Sequence, residues 1–452
     1  MKITADFTKI TGTVKPMHGI GQPPFLSPRS CPEMHYLADA GIPYARLHDM
    51  GGSFGGSRYV DIPNVFPDFD ADETLPESYD FAFTDFLMAA LAAQGCEPIY
   101  RLGVTIENHF RLKAYRIFPP ADYHKWARIC EHIVRHYNEG WADGFHYGIT
   151  YWEIWNEPDD RADDPSLSQM WQGTPEEYFR LYEITANHLK ACFGDSIRVG
   201  GYAATGWNAV GSKELNEDGT LKDPAPEDRN FRCEYLRDFL RWISSEEHRA
   251  PLDFFSWHCY RNVSTVAKNE RYVEMMLEKY GFGGAEIHLN EWNPGGTYER
   301  RGTLWAAAQT FATMLALQKT NASVLNFYDG RIGASSYGGL FNCESRMPYP
   351  AYYTLMSFNE AFRLKNEVTT ESDDPVVYVC GASDGKHGVL LLANTADKER
   401  EVEFELTGAS LDDAYVLLLD AEHRYSPAGR AALKGGTLTM AANSCAEIRF
   451  EG

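Results

Sequence analysis

Tyr151-Trp152-Glu153-Ile154-Trp155-Asn156-Glu157-Pro158 is a short apolar run that stops at an amide, a carboxylate and a proline. It reads as a strand ending in polar groups. The same grammar returns at Ile287-His288-Leu289-Asn290-Glu291-Trp292-Asn293-Pro294. Around these two stretches, short β-rich runs alternate with longer helical patterns, the signature of parallel βαβ units. The spacing predicts eight strands, at Met17–Gly21, Pro43–His48, Glu97–Gly103, Tyr151–Asn156, Ile197–Tyr202, Asp253–His258, Glu286–Glu291 and Ser323–Asp329. Helices are expected at Tyr79–Gln94, Tyr123–Tyr137, Glu176–Cys192, Phe231–Ser244, Thr265–Tyr280 and Leu304–Lys319. Thr174-Pro175-Glu176-Glu177 places a cap, a first-turn proline and two carboxylates in the order a helix start requires. Eight repeats imply a closed (β/α)8 barrel, an α/β fold.

In such a barrel the working residues stand at the carboxyl ends of the strands. Glu157 then ends the fourth strand and Glu291 the seventh. They are 134 residues apart in the chain, three steps of about 45 residues in a barrel enlarged by loops. Strands three apart in a ring of eight face each other across the mouth. Two opposed carboxylates suit glycoside cleavage, in which one protonated carboxyl releases the leaving oxygen and an ionised partner meets the cation-like sugar carbon. Long stretches rich in Gly, Pro, Asp and Asn, Gly51–Ser78 and Ala203–Asp228, are expected to wall the pocket.

After about Leu364 the pattern changes to short alternating strands, which predicts a C-terminal antiparallel β-sandwich. The expected organisation is an N-terminal strand over residues 1–14, a catalytic barrel over 15–363 and a β-sandwich over 364–452. The alternation in Lys2–Thr13 suggests that the first segment joins the sandwich.

Composition bounds the partners. With 452 residues and a hydrophobic fraction of 44%, the chain can bury a large core. A formal charge of −22 repels phosphate backbones and anionic lipid, so neither nucleic acid nor a membrane is an expected partner. The start carries no signal-like apolar run, and the nine scattered cysteines lack any CxxC, so a cytoplasmic location with reduced thiols is expected. Aromatic residues at 13% are compatible with sugar stacking but equally with core packing.

Trp155-Asn156-Glu157-Pro158 with Glu291 on strand seven resembles the clan A retaining glycoside hydrolases. Ala45-Arg46-Leu47-His48-Asp49, Trp257-His258-Cys259-Tyr260 and the trailing sandwich make the chain similar, over nearly its whole length, to glycoside hydrolase family 39, which includes β-xylosidases and α-L-iduronidases. The resemblance implies that Glu157 is the acid/base, that Glu291 is the nucleophile and that Asn156 donates to the sugar 2-hydroxyl. Physical reasoning adds Arg46 and Tyr260 as donors to Glu291, and desolvation of Glu157 among Trp152 and Trp155. His258 shares a strand face with Tyr260 and is expected to touch the sugar or Glu157. Glu153, deeper in the barrel, is expected to pair with Arg46 or Arg101.

His18, His48 and Asp49 at strand ends are expected to bind sugar hydroxyls, and Trp292 to stack on a sugar face. The family pattern places an exposed Trp on strand eight, yet the segment here reads Leu325-Asn326-Phe327-Tyr328-Asp329-Gly330-Arg331. Tyr328, Asp329 or Arg331 therefore substitutes, which leaves the glycon open among β-D-xylose, the favoured reading, α-L-arabinose, β-glucose and uronic acids. Long loops favour exo action on short glycosides over an endo cleft. No cofactor or metal is required, and water is the second substrate. The rivals are a metal enzyme using His132 and His136, a phosphate loop at Gly51–Gly56, and a non-catalytic sugar-binding protein. A homo-oligomer is left open.

Overall fold

The computed structural model describes residues 1–25, 31–48, 60–104, 117–160, 168, 170–212, 216, 222, 227–295, 298–332, 337–428, 433–434 and 436–450. Strand β1 (Lys2–Thr13) is followed by eight strands that close into a parallel barrel: β2 (Gly19–Gly21), β3 (Tyr44–Leu47), β4 (Glu97–Leu102), β5 (Tyr151–Ile154), β6 (Arg198–Ala204), β7 (Phe254–Cys259), β8 (Glu286–Trp292) and β9 (Ala322–Phe327). All eight lie within the stretches expected from sequence or one to two residues beyond them. β2 closes the ring by pairing with both β3 and β9.

The barrel interior is stacked in layers. Tyr44, Ile99, Tyr151, Phe254 and Val324 form an apolar floor, and the His288 ring stacks on Phe254 at 4.6 Å. The period of two along β3 lifts the chain from Tyr44 in the floor to Arg46 above it. β5 does the same from Tyr151 to Glu153. The layer above the floor is therefore ionic, with Arg46, Glu153 and Asn290 all 0% exposed.

The helix Pro175–Phe193 starts as its sequence predicts: the Thr174 side chain accepts from the Glu177 N–H at 3.2 Å, and Glu177 answers by accepting from the Thr174 N–H at 2.7 Å. Thr174→Ala is expected to cost about 1 kcal/mol, read as a lower denaturant midpoint with an unchanged m-value.

Beyond the helix Pro350–Leu364 come β10 (Asn366–Ser372), β11 (Val377–Ser383), β12 (Gly388–Asn394), β13 (Arg400–Thr407), β14 (Ala414–Leu419), β15 (Arg424–Pro427), β16 (Leu433–Lys434), β17 (Thr437–Met440) and β18 (Ser444–Phe450). With β1 they form one ten-stranded sheet in the order β15-β14-β18-β12-β11-β10-β1-β13-β17-β16. All its pairs are antiparallel except β1 with β13. Ile3, Leu390, Val402, Val416, Leu438 and Ile448, from strands far apart in that order, share one core. The sheet must therefore fold over itself.

The apolar run of β12 has two destinations. Leu390 and Leu392 enter the sheet's own core, whereas Val389, Leu391 and Ala393 belong to the barrel's. A strand covered on both faces reads as continuous hydrophobicity. Ser357, on the last barrel helix, reaches across to donate to Glu447 at 2.5 Å. All nine cysteines are free thiols. Among the described residues no helix is long and apolar enough to cross a membrane.

Candidate active site

At the barrel mouth Arg46 fixes three groups at once. Its guanidinium donates to Glu153 at 2.7 Å, to Glu291 at 2.6 Å and to Asn156 Oδ1 at 2.6 Å. Fork geometry allows this, since the planar group carries five donors. Asn290 completes the lower layer by donating to Glu153. Arg101 takes a different partner, Asp61, at 2.6 Å.

Local irregularities aim the two glutamates. β5 stops at Ile154, and Trp155 has φ 75° and Glu157 φ 47°, conformations uncommon for residues with a Cβ. Neighbouring strands hold the bend, through Trp155 N–H to Leu102 O at 2.8 Å and Glu157 N–H to Ala203 O at 3.0 Å. The turn sends Trp155 outward, where it packs on Trp126 and Trp171, and brings Asn156 and Glu157 inward together. On β8 the pairing skips Asn290: Trp257 faces Leu289, but His258 faces Glu291. This bulge turns both Asn290 and Glu291 inward. Gly206, with φ 85°, lets the loop after β6 pass the end of β7, where an added Cβ would lie 2.2 Å from the His258 carbonyl oxygen.

Glu157, Glu291 and His258 thus converge. His258 Nδ1 is 2.6 Å from Glu157 and 3.5 Å from Glu291, and Tyr260 donates to Glu291 at 2.5 Å. One carboxylate oxygen from each glutamate and a ring nitrogen of His258 all lie within 4.8 Å of one another. These three groups would also be the ones to hold a divalent cation here; acid–base and nucleophilic work uses the same atoms without one.

The two carboxyls differ in surroundings. Burial, reinforced by Asp160 and Asp159, pushes Glu157 up to about 8, with Arg232 and Arg46 opposing. Burial also raises Glu291, but His258, Arg46 and the Tyr260 hydroxyl favour its ionised form. His258 is lowered by burial to about 4 and is a neutral imidazole at neutral pH. Its Nδ1 can therefore accept a hydrogen bond from the protonated Glu157 carboxyl or, as the other tautomer, donate one to the carboxylate.

The remaining expected residues divide. His48 is buried, and the charges of Arg101, Arg46 and Arg331 add to burial in holding its pKa well below the usual value. Tyr328 is buried at the mouth, its hydroxyl accepting from Gln22 and its ring 6.1 Å from that of Tyr260. Asp329 is engaged by Arg331 at 2.9 Å. Asp49 and the Gly51–Gly56 run lie outside the described residues.

His18 is a correction. β2 spans only Gly19–Gly21, so His18 stands at its amino end, bonded to Gly41 O at 3.1 Å and packed against Phe358 and Phe362. It belongs to the helix shell, not the mouth. Trp292 is another: after the bulge it points outward, 1% exposed, its ring meeting Phe327 edge-on at 5.5 Å. It offers no face to a sugar. Trp152 likewise packs on Tyr100 outside the barrel, so enclosure and neighbouring carboxylates, rather than these tryptophans, desolvate and raise Glu157. His136 is stacked on Phe81 at 3.6 Å and bonded to Asp85, a structural role. Sequence reasoning missed Asp159 and Asp160, although both directly follow Pro158. It also missed Gln22, which donates to Tyr328, and Tyr337, whose ring lies 4.9 Å from that of Tyr260 and 5.5 Å from that of Tyr328; no local pattern gives a signal for either.

The chain matches the model of glycosyl hydrolases family 39 over residues 68–299. It is 26% identical over 243 residues to a β-xylosidase of Geobacillus stearothermophilus, covering 49% of this chain and 40% of that protein. To a β-xylosidase of Caldicellulosiruptor saccharolyticus it is 29% identical over 340 residues, covering 70% of this chain and 64% of the relative. The match therefore spans less than two thirds of either relative. Among solved structures, a glucosidase from Croceicoccus marinus has a TM-score of 0.75 at 17% identity, covering 100% of this chain and 98% of that one. A GH39 β-xylosidase from Caulobacter crescentus has a TM-score of 0.67 at 19% identity, covering 100% of both chains. These two share the fold.

Proposed function

This chain belongs to glycosyl hydrolases family 39, and from that premise we propose that it is a retaining β-D-xylosidase, removing terminal xylose from short glycosides by double displacement. The observation that carries the reading is the glutamate pair, with carboxylate oxygens within 4.8 Å of each other. Retention uses carboxyl groups about 5–5.5 Å apart, whereas inversion needs about 6.5–9.5 Å to admit a water. The names of the two curated relatives favour xylose.

In the first step Glu157 donates its proton to the glycosidic oxygen as a Glu291 oxygen attacks the anomeric carbon. The bond to the leaving group breaks and a glycosyl ester forms. In the second, Glu157, now a carboxylate, takes a proton from the water that displaces Glu291. His258 supports both states of Glu157 through its two neutral tautomers. Since Asn156 Oδ1 accepts from Arg46, its amide NH2 is turned free to donate to the sugar 2-hydroxyl. His48 and Tyr328 are proposed to meet other hydroxyls. The substrate is a glycoside, with location in the cytoplasm as the accompanying proposal.

The test is a panel of nitrophenyl glycosides of xylose, arabinose, glucose, galactose, fucose and glucuronic acid, with the first-formed anomer followed by NMR. β-Xyloside cleavage giving β-xylose first is expected; α-xylose first overturns retention, and another preferred sugar overturns the glycon. The pH profile is a second check. Only the protonated acid serves the first step, so kcat/KM is expected to fall as pH rises through about 8. An alkaline limb unchanged in Glu157→Gln, measured on an activated aryl xyloside, would assign it to another group.

A further inference from the structure

A second cluster of ligand-type side chains lies between two helices of the barrel's outer layer, Tyr123–Asn138 and Pro175–Phe193. His188 and Cys192 are one turn apart on the second helix, so both face the same neighbour. Glu131 comes from the first. His188 Nε2 is 2.6 Å from Glu131 Oε2 and 3.8 Å from Cys192 Sγ, and one ligand atom from each residue lies within 4.8 Å of the others. All three residues are partly buried. Arg135 grips the other oxygen of Glu131 at 2.7–2.8 Å, which leaves Oε2 aimed at His188. Arg135 is itself shared with Glu139.

We propose that Glu131, His188 and Cys192 form a binding site for a borderline-soft divalent cation of the Zn2+ class, clamping these two helices together. The donor set decides the class: a thiolate and an imidazole with one carboxylate suit Zn2+, Co2+ or Cd2+, and select against the all-oxygen preferences of Mg2+ and Ca2+. Three protein ligands and one water complete a tetrahedron. With metal–ligand bonds of about 2.0–2.3 Å, tetrahedral ligands stand about 3.3–3.7 Å apart. His188 and Cys192, at 3.8 Å, lie about 0.1 Å beyond the upper end of that spacing. Glu131 and His188 need to part by about 0.7 Å for the same geometry, within the reach of a glutamate side chain.

Proton balance follows from the ligand states. The Cys192 thiol, raised by burial and by Glu131, gives up its proton as the metal–sulfur bond forms, releasing one H+ per cation. His188 binds through Nε2 as the neutral tautomer protonated on Nδ1. The overall charge of −22 draws cations to the surface.

The test uses the full chain, reduced and stripped with a chelator, titrated with Co2+. One equivalent is expected to give a near-ultraviolet thiolate-to-cobalt band, displaced by Zn2+, absent in Cys192→Ser and requiring at least tenfold more Co2+ in His188→Ala. The Glu157, His258 and Glu291 trio contains no sulfur and cannot produce that band. Zn2+ is also expected to raise the thermal midpoint of the wild type and not of Cys192→Ser. Absence of the band, or an equal band in Cys192→Ser, overturns the proposal. If a variant fails to fold by circular dichroism, alkylation of Cys192 in the wild type decides: Zn2+ should slow it at least tenfold, and equal labelling with and without Zn2+ refutes the site.

Discussion

Glu291→Ala is expected to lower kcat/KM by about 10⁴-fold or more on every glycoside the protein cleaves, because it removes the carboxylate that forms the covalent ester in the proposed mechanism. Glu157→Ala is expected to behave differently. Its loss should grow with the basicity of the leaving group: about 10²–10⁴-fold for an alkyl xyloside or xylobiose, whose oxygen needs a proton to depart, and far less in the first step for an activated aryl xyloside. With such a substrate the second step becomes limiting, so a burst of released phenol should precede slow turnover. Leaving-group dependence in the Glu291 variant and none in the Glu157 variant would exchange the two roles. Unchanged turnover in both would remove this site from the chemistry altogether. The contrast follows from the surroundings, since Glu157 sits beside two further carboxylates and a neutral imidazole, and Glu291 is held by a guanidinium and a phenol.

Arg46→Met is expected to lower stability by about 3–5 kcal/mol, the usual consequence of removing one member of a buried ionic cluster. Arg46 is 0% exposed, as is Glu153, and Glu291 is 4% exposed, so water cannot replace the guanidinium. Methionine fills much of the volume, which isolates the electrostatic loss from cavity formation. The deficit should shrink as pH falls. Without Arg46 the buried Glu291 has a folded-state pKa raised further above its unfolded value, so protonation favours the folded variant at low pH and the penalty is largest above that pKa. Arg46→Lys keeps the charge but lacks the planar fork and cannot hold Glu153, Glu291 and Asn156 together, so it should recover only part of the stability. Urea unfolding at pH 5 and pH 8 is the measurement. A pH-independent loss below about 1 kcal/mol would show that the cluster is not the electrostatic keystone its burial implies.

Much of this molecule was legible in local pattern. The eight strands announce themselves through β-rich runs bounded by turn residues, and Glu157 and Glu291 through the polar stops that end two of them. Both features depend on neighbours in the chain. The expectation that Glu153, deeper in the barrel, pairs with Arg46 or Arg101 also came from the strand pattern, and Arg46 is the partner it meets.

Parity failed where the backbone leaves regular geometry. Counting by twos from Glu153 makes Trp155 an inward residue; its φ of 75° sends it outward and brings Asn156 and Glu157 in. The skipped pairing at Asn290 does the same for Glu291 and expels Trp292 into the shell. Such bends are fixed by hydrogen bonds to adjacent strands, here Leu102 and Ala203, which are distant in sequence. His18 was misplaced for a related reason, since a strand of three residues, Gly19–Gly21, gives too short a pattern to say which end is which.

The sequence by itself therefore determined the barrel, the carboxylate pair and the residue types around it, because period, punctuation and composition are local properties. Only the tertiary structure decided how deeply Glu157 is buried, how Arg46 divides its donors among partners more than a hundred residues away, and that β12 serves two cores. Burial and such long-range distances are set only when the ring of strands closes.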